Sequence, residues 1–205
     1  MDTNELYDRL AVLYHLIFSD WNDAIKKGAD NLHKIISENS TAPVKSILDV
    51  SCGIGTQIIG LAEIGYDVTG SDLSAASIQR ARSEMELRGL SVNLSVADMR
   101  QAYRHHKQQY DAVISCHNSV THLQDDDEIL KAFQEFYDCV RRGGICLINV
   151  RDYDNEKRGG VKGAALEFMN DYNVNTLLVN SKIGEEKKLM SIYTDPRGLG
   201  IMQKS

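Results

Sequence analysis

The run Ile47-Leu48-Asp49-Val50-Ser51-Cys52-Gly53-Ile54-Gly55-Thr56-Gln57 constrains this chain more than any other stretch. Ile47 to Val50 reads as a short buried strand. Gly53 and Gly55 supply a turn, and Thr56 opens an apolar-periodic helix through Ile58, Ile59, Leu61, Ala62 and Ile64 that stops near Gly65. A strand, a glycine turn and a helix start together present bare backbone amides at the positive end of a helix dipole. Glycine permits dihedrals and close approaches that a side chain would block. A second strand, Asp67 to Gly70, leads into Asp72, 19 residues past Gly53. That is the spacing at which a carboxylate meets a ribose diol in dinucleotide-type folds. The dinucleotide fingerprint also wants a small residue three positions after its second glycine, and this chain has Ile58 there. A bulky side chain at that point suits a ligand with a ribose and no pyrophosphate.

The rest of the chain is consistent with one compact domain, or one domain with a small appendage. Its 205 residues are 42% hydrophobic and 25% charged, an ordinary balance for a globular protein with a sizeable core. A net charge of −6 argues against a nucleic-acid binder that relies on a broad basic face. The four cysteines, Cys52, Cys116, Cys139 and Cys146, show neither C-x-x-C spacing nor a zinc-like pairing with histidine. They read as reduced, partly buried thiols in a cytoplasmic protein. No stretch approaches the roughly 18 apolar residues of a membrane-spanning helix, and the acidic, amphipathic N-terminus is unlike a signal peptide.

Taken in order, residues 4–18 place Leu6, Leu10, Leu13, Tyr14, Ile17 and Phe18 at helical spacing. Asn22 is placed to cap a second helix through Ile25, Leu32, Ile35 and Ile36. These aromatic-rich helices precede the sheet and read as a lid over a small-molecule site, with Tyr14 and Trp21 lining it. After Asp72, Ser74 caps a helix from Ala75 to about Arg88, ended by Gly89. Val92 to Val96 alternates as a strand. Residues 101–109, with His105 and His106, read as a solvated loop. Tyr110 to Ser115 is a strand buried on both faces, followed by a helix from about Asp125 to Arg141 and a strand from Ile145 to Val150.

Five strands alternating with helices give an α/β fold: a parallel sheet with helices on both faces. Ligands bind outside the carboxyl ends of such strands. Gly53, Gly55, Asp72, Asp98, Asn118 and Arg151 all fall just past strand ends, so residues scattered in sequence converge on one site. Beyond Tyr153, residues 154–163 read as a loop, and Val174 to Val179 with Lys188 to Thr194 as an antiparallel hairpin. The expected organisation is a helical lid over 1–42, a ligand-binding α/β core over 43–153, and a loop, hairpin and short tail over 154–205 of the same domain.

The D-x-x-x-G-x-G pattern of Asp49, Gly53 and Gly55 resembles motif I of the class I S-adenosylmethionine-dependent methyltransferases, which share a Rossmann-like sheet. More specifically, the chain resembles the glycine N-methyltransferase and glycine/sarcosine methyltransferase type. This rests on residues 14–21, 47–57, 65–74 and 96–100, with Asn118-Ser119-Val120-Thr121-His122-Leu123 and Val150-Arg151-Asp152-Tyr153. The resemblance implies S-adenosylmethionine as cofactor and the amine of glycine, sarcosine or a related amino acid as methyl acceptor. It places Gly53 and Gly55 at the methionine part, Asp72 on the ribose hydroxyls, Leu73 and Met99 on either side of adenine, and Asp98 near its exocyclic amine, with Asp49 also in the cofactor set. Trp21 joins this cofactor set. Arg151 would hold a substrate carboxylate through its planar pair of donors. Asn118 would orient the amine, with Tyr14 beside it; His122 and Tyr14 are the candidate bases. The chemistry requires no metal.

The same resemblance implies further sheet strands, whereas the sequence ends at Ser205 after an unfamiliar 196–204 stretch. An exposed sheet edge is therefore expected, which a second copy of the chain could cover. A catalytically silent cofactor- or partner-binding module is the alternative reading. A nicotinamide dehydrogenase is disfavoured by Ile58 and by the lack of an obvious hydride-transfer residue set.

Overall fold

The computed structural model describes residues 3–151, 174–180, 191–193 and 200–203. Helix α1 (Thr3–Leu10) leads through a 3₁₀ turn (Tyr14–Ile17) to α2 (Trp21–Asn39). The continuous helix expected over residues 4–18 is thus broken around residues 11–13, and the 3₁₀ turn follows. Asp20, not Asn22, caps α2, accepting from the Asp23 amide at 3.0 Å. The Asp20 backbone is extended at that point, as a cap requires.

The core then alternates as β1 (Ser46–Asp49), α3 (Thr56–Glu63), β2 (Asp67–Asp72), α4 (Ala75–Arg88), β3 (Asn93–Val96), α5 (Ala102–His106), β4 (Tyr110–Ser115), α6 (Asp126–Cys139) and β5 (Val140–Arg151). The five strands pair in parallel in the order β3-β2-β1-β4-β5. The chain therefore reverses its winding beside β1, and the crevice lies where β1 and β4 part. Strands β6 (Val174–Asn180) and β8 (Gly200–Gln203) both run antiparallel to β5, along different parts of its outer edge. Strand β7 (Ser191–Tyr193) pairs antiparallel with β6; the turn of the expected hairpin, 182–186, and the expected loop, 154–163, lie outside the described residues.

Alternating strand residues feed two cores. Ile47, Ala112, Ile114, Ile145 and Leu147 face one cluster with Ile25, Ile36 and Ile58 of the α2 and α3 side. Leu48, Val113, Cys146 and Ile148 face Phe133, Phe136 and Cys139 of α6. Burial on both faces explains why these strands read as continuous apolar runs. Helices α2 and α3 approach closely at Gly60, where an added Cβ would lie 2.7 Å from both the Ala29 Cβ and the Ile25 carbonyl oxygen.

The stretch 101–109 is not a solvated loop. It holds α5, and the His106 Nε2 lies 3.1 Å from the Ser71 hydroxyl of β2. Burial, then the neighbouring His105, lower the His106 pKa to about 4. All four cysteines are buried and free, and among the described residues no helix is long and apolar enough to cross a membrane.

Candidate active site

Strand β1 delivers the chain to the turn at Val50, whose amide bonds the Ile114 carbonyl of β4 at 3.1 Å. The Cys52 amide bonds the Ser71 carbonyl of β2 at 3.0 Å, and the Gly55 amide closes the turn on the Cys52 carbonyl at 2.9 Å. Gly53 and Gly55 sit at φ +54° and +100°, the left-handed region where a Cβ is costly. Nothing lies within 4 Å of a Cβ built on Gly53, so the backbone dihedral, not crowding by the protein, demands glycine there.

The bulk of Ile58 is accommodated by the strand opposite. Ile58 is fully buried, and Gly70 of β2 makes room for it. A Cβ on Gly70 would come within 3.0 Å of the Ile58 Cδ1, 3.0 Å of the Cys52 Sγ and 2.9 Å of Leu94.

Asp72 ties the turn to the start of α4. Its Oδ2 accepts from the Gly53 amide at 2.8 Å, and its Oδ1 accepts from the Ser74 amide at 2.9 Å. Each carboxylate oxygen has further acceptor capacity, and Asp72 lines the cavity. Asp49 lies fully buried beside the turn. Its Oδ1 accepts from the Ser51 amide at 3.0 Å, and its Oδ2 has no partner. Burial, outweighing the Ser51 bond and aided by the Asp72 charge, pushes the Asp49 carboxyl up to about 7. Burial also raises Asp72, against its backbone hydrogen bonds. Two carboxyls beside the glycine turn disfavour a pyrophosphate and favour a cationic group. A sulfonium nucleoside carrying an ammonium fits this acceptor set.

The cavity encloses about 520 Å³. Leu73 and Met99 line it, Leu73 with its apolar side chain 45% exposed. Asp98 also lines it and caps the 3₁₀ turn Met99–Gln101 by accepting from the Arg100 amide at 2.8 Å. The Arg100 Nε lies 3.0 Å from each Asp98 oxygen, and its Nη1 bonds Glu128 at the start of α6. Burial pushes the Asp98 carboxyl up, but the Arg100 hydrogen bonds and charge outweigh it and hold it below the usual range.

The N-terminal segment crosses the cavity and is fastened on two sides. Asp8 accepts from the Ser74 hydroxyl at 2.5 Å and from the Ala76 amide at 3.2 Å, at the start of α4. The Tyr7 hydroxyl lies 2.9 Å from the His122 Nε2 on the far wall. Tyr7 and Tyr14 both line the cavity, their ring centroids 6.2 Å apart.

Of the residues singled out by sequence, Gly53, Asp72, Leu73, Asp98, Met99, Tyr14 and His122 line the cavity. Gly55 shapes the turn, and Asp49 lies behind it. Trp21, expected in the cofactor set, is not among the residues that line the cavity: its indole N–H donates to the Thr56 hydroxyl at 3.0 Å, and the Arg80 and Arg88 guanidinium carbons lie 5.9 and 5.3 Å from its ring centroid. It props the helix that carries the turn. Asn118 sits in the left-handed region at φ +67°, outside the cavity lining, with its Nδ2 donating to the Thr121 hydroxyl at 2.7 Å. Arg151 ends β5, and only its backbone is described. Tyr7, Gln57, His117 and Glu128 line the cavity unannounced by any motif. Tyr7 belonged to an aromatic-rich stretch, and His117 adjoins Asn118, but neither position carries a spacing that singles it out.

The strand order, the glycine turn and the acid after β2 are those of a Rossmann-like nucleoside-binding domain, and similarity to known proteins sets it among the class I S-adenosylmethionine-dependent methyltransferases. A family model described as "Methyltransferase domain" matches residues 47–144. The chain is 32% identical over 159 residues to a glycine/sarcosine N-methyltransferase of Parasynechococcus marenigrum, covering 78% of this chain and 52% of that protein. Over that stretch it is similar to the glycine/sarcosine N-methyltransferases. A crystal structure of an S-adenosylmethionine-dependent methyltransferase from Clostridium acetobutylicum shares the fold at a TM-score of 0.59 and 15% identity, covering 98% of this chain and 82% of that one. The S-adenosylmethionine-bound amino pentose methyltransferase CalS10 of Micromonospora echinaspora shares it at 0.59 and 23%, covering 73% and 58%. The chain spans about half the length of the curated relatives it matches, 52%, 42% and 49% for three of them. S-adenosylmethionine is the cofactor of this class.

Proposed function

We propose that this domain binds S-adenosylmethionine and transfers its methyl group to the amine of a small amino acid such as glycine or sarcosine. The observation that carries the reading is the pair of carboxyls, Asp49 and Asp72, beside a glycine turn at one end of a lidded cavity. Gly53 and Gly55 would let the methionine part approach the backbone, with Asp49 supplying a buried negative charge nearby. Asp72 would accept from the ribose hydroxyls, and Leu73 and Met99 would flank adenine. Asp98, oriented by Arg100, would face the exocyclic amine.

When bound, the cofactor supplies a methyl group already activated on a sulfonium. The chain's own residues then have to bind, orient and exclude water. Residues 1–42 would act as the lid, fastened through Asp8 and Tyr7 over the core of residues 43–153, with residues 154–205 completing the domain. Tyr14 would line the acceptor space, Arg151 would hold the acceptor carboxylate, and Asn118 would act on the amine by fixing the turn between β4 and α6. The choice of nitrogen as acceptor rests on the relatives' names, because this fold alone does not set the acceptor.

Transfer of a labelled methyl group to glycine, sarcosine and dimethylglycine tests the reading. Methylated product is the expected result. Binding of the nucleoside with no transfer to any amine would support the silent module instead, and no binding would overturn both.

A further inference from the structure

His117 stands at the end of β4 on the cavity wall, and no part of the proposed chemistry uses it. Its placement is tightly specified. Its backbone occupies φ +55°, a region histidine enters more readily than most side chains. Its amide donates to the Asn149 Oδ1 of β5 at 3.1 Å. Its ring lies 6.0 Å from that of Phe18, which follows the 3₁₀ turn of the lid, so the imidazole sits under the closed segment.

The polar contact of the ring, with the Gln57 NH₂ turned toward it, points to one tautomer. The Gln57 amide nitrogen lies 2.8 Å from the His117 Nε2, and among the described residues nothing bonds Nδ1. Burial lowers the His117 pKa to about 4, which keeps the ring neutral near pH 7. A neutral imidazole has one N–H. An amide NH₂ aimed at Nε2 makes that nitrogen the acceptor and leaves the proton on Nδ1. Gln57 is itself buried in the first turn of α3, immediately after the glycine turn. The cavity wall therefore carries an uncharged donor set in direction by a buried amide.

We infer that His117, held by Gln57, donates its Nδ1–H to a carboxylate bound in the cavity. The inference rests on the reading of this cavity as a site for S-adenosylmethionine and an amino acid. Either ligand brings a carboxylate, and the histidine would be a recognition group for one of them. A neutral donor suits the position, because a charged one would compete with the sulfonium for the buried acids Asp49 and Asp72.

Two substitutions separate the ring nitrogens. His117→Gln keeps a polar group near Nε2 and loses the donor at Nδ1. His117→Asn keeps an N–H near Nδ1 and tolerates the positive φ. S-adenosylhomocysteine and its decarboxylated counterpart are titrated calorimetrically into wild type and both variants. Glycine and methylamine are then titrated into the S-adenosylhomocysteine complexes, with thermal unfolding as the check on folding. The expected result is that His117→Gln weakens one carboxylate ligand by roughly tenfold or more while changing its carboxylate-free counterpart by less than about twofold. The ligand affected identifies the source, and His117→Asn recovers most of the loss. Equal loss for ligands with and without the carboxylate, or no loss for either carboxylate ligand in a folded variant, overturns the inference while the binding site stands. Failure of wild type to bind S-adenosylhomocysteine removes the site reading and this inference together.

Discussion

The Oδ2 of Asp72 accepts the Gly53 amide at 2.8 Å, joining two residues 19 positions apart in sequence. The glycine turn and the acid after β2 are thus one hydrogen-bonded unit. Asp72→Ala removes the acceptor of the Gly53 and Ser74 amides along with the proposed ribose contact. It is expected to weaken S-adenosylhomocysteine by roughly 1–3 kcal/mol and to lower the unfolding temperature. Calorimetry beside thermal unfolding checks both, and an unchanged affinity removes Asp72 from the site.

Asp49 gives the protein a pH signature. Its folded pKa of about 7 exceeds the ordinary 3.8, so the folded state holds a proton that the unfolded chain releases. Its contribution to stability is present below about pH 4 and is lost as the pH rises through about 7. Asp49→Asn can keep the Ser51 hydrogen bond and has no charge to bury. The variant is expected to gain stability over wild type at pH 8 and little at pH 4, while binding the cationic cofactor more weakly. Thermal unfolding across that range decides; a variant less stable at pH 8 would contradict the assignment.

A bound cation beside Asp49 lowers its pKa, so S-adenosylmethionine binding near pH 6.5 is expected to release protons. Calorimetry in two buffers of different ionisation enthalpy measures the number, which should shrink in Asp49→Asn. Net proton uptake would place the positive group elsewhere.

Gly70 and Ile58 form a packing pair across β2 and α3. Gly70→Ala drives a methyl group to within about 3 Å of Ile58, Cys52 and Leu94. It is expected to cost about 1–3 kcal/mol of stability. Ile58→Val should recover part of that loss in the double variant, although alone it removes a buried methylene. Chemical unfolding of the four proteins gives the coupling, and additive effects would deny the contact.

The lid fastening is open to hydrogen exchange. Asp8→Ala loses both contacts to α4, so amides over residues 3–17 should exchange faster, by about tenfold for a net loss near 1.4 kcal/mol. Unchanged exchange would mean that packing alone holds the segment.

The strands and helices of the core were legible because local rules act there. Glycines at Gly53 and Gly55, the cap Ser74, and two-face apolar runs each specify backbone geometry within a few residues. What the sequence concealed depends on partners far along the chain. Trp21 has the composition of a pocket aromatic, but its indole is claimed by Thr56 and its ring by two arginines of α4. His105 and His106 look like loop residues until Ser95 and Ser71 are brought beneath them. The bulk at Ile58 looked like a misfit because its complement, Gly70, lies on another strand. Tyr7 and Gln57 repeat the lesson: helical periodicity marks them as ordinary positions, and only the fold turns them toward one cavity.

The most direct test of the central claim is thermal unfolding of the chain with S-adenosylmethionine, S-adenosylhomocysteine and NAD. A ligand at about 100 times its dissociation constant adds roughly 2.7 kcal/mol to the folded state, a shift of a few degrees for a chain of this size. The account predicts that both methionine nucleosides raise the midpoint and NAD does not. A rise with NAD alone, or a cooperative transition that none of the three moves, would contradict it.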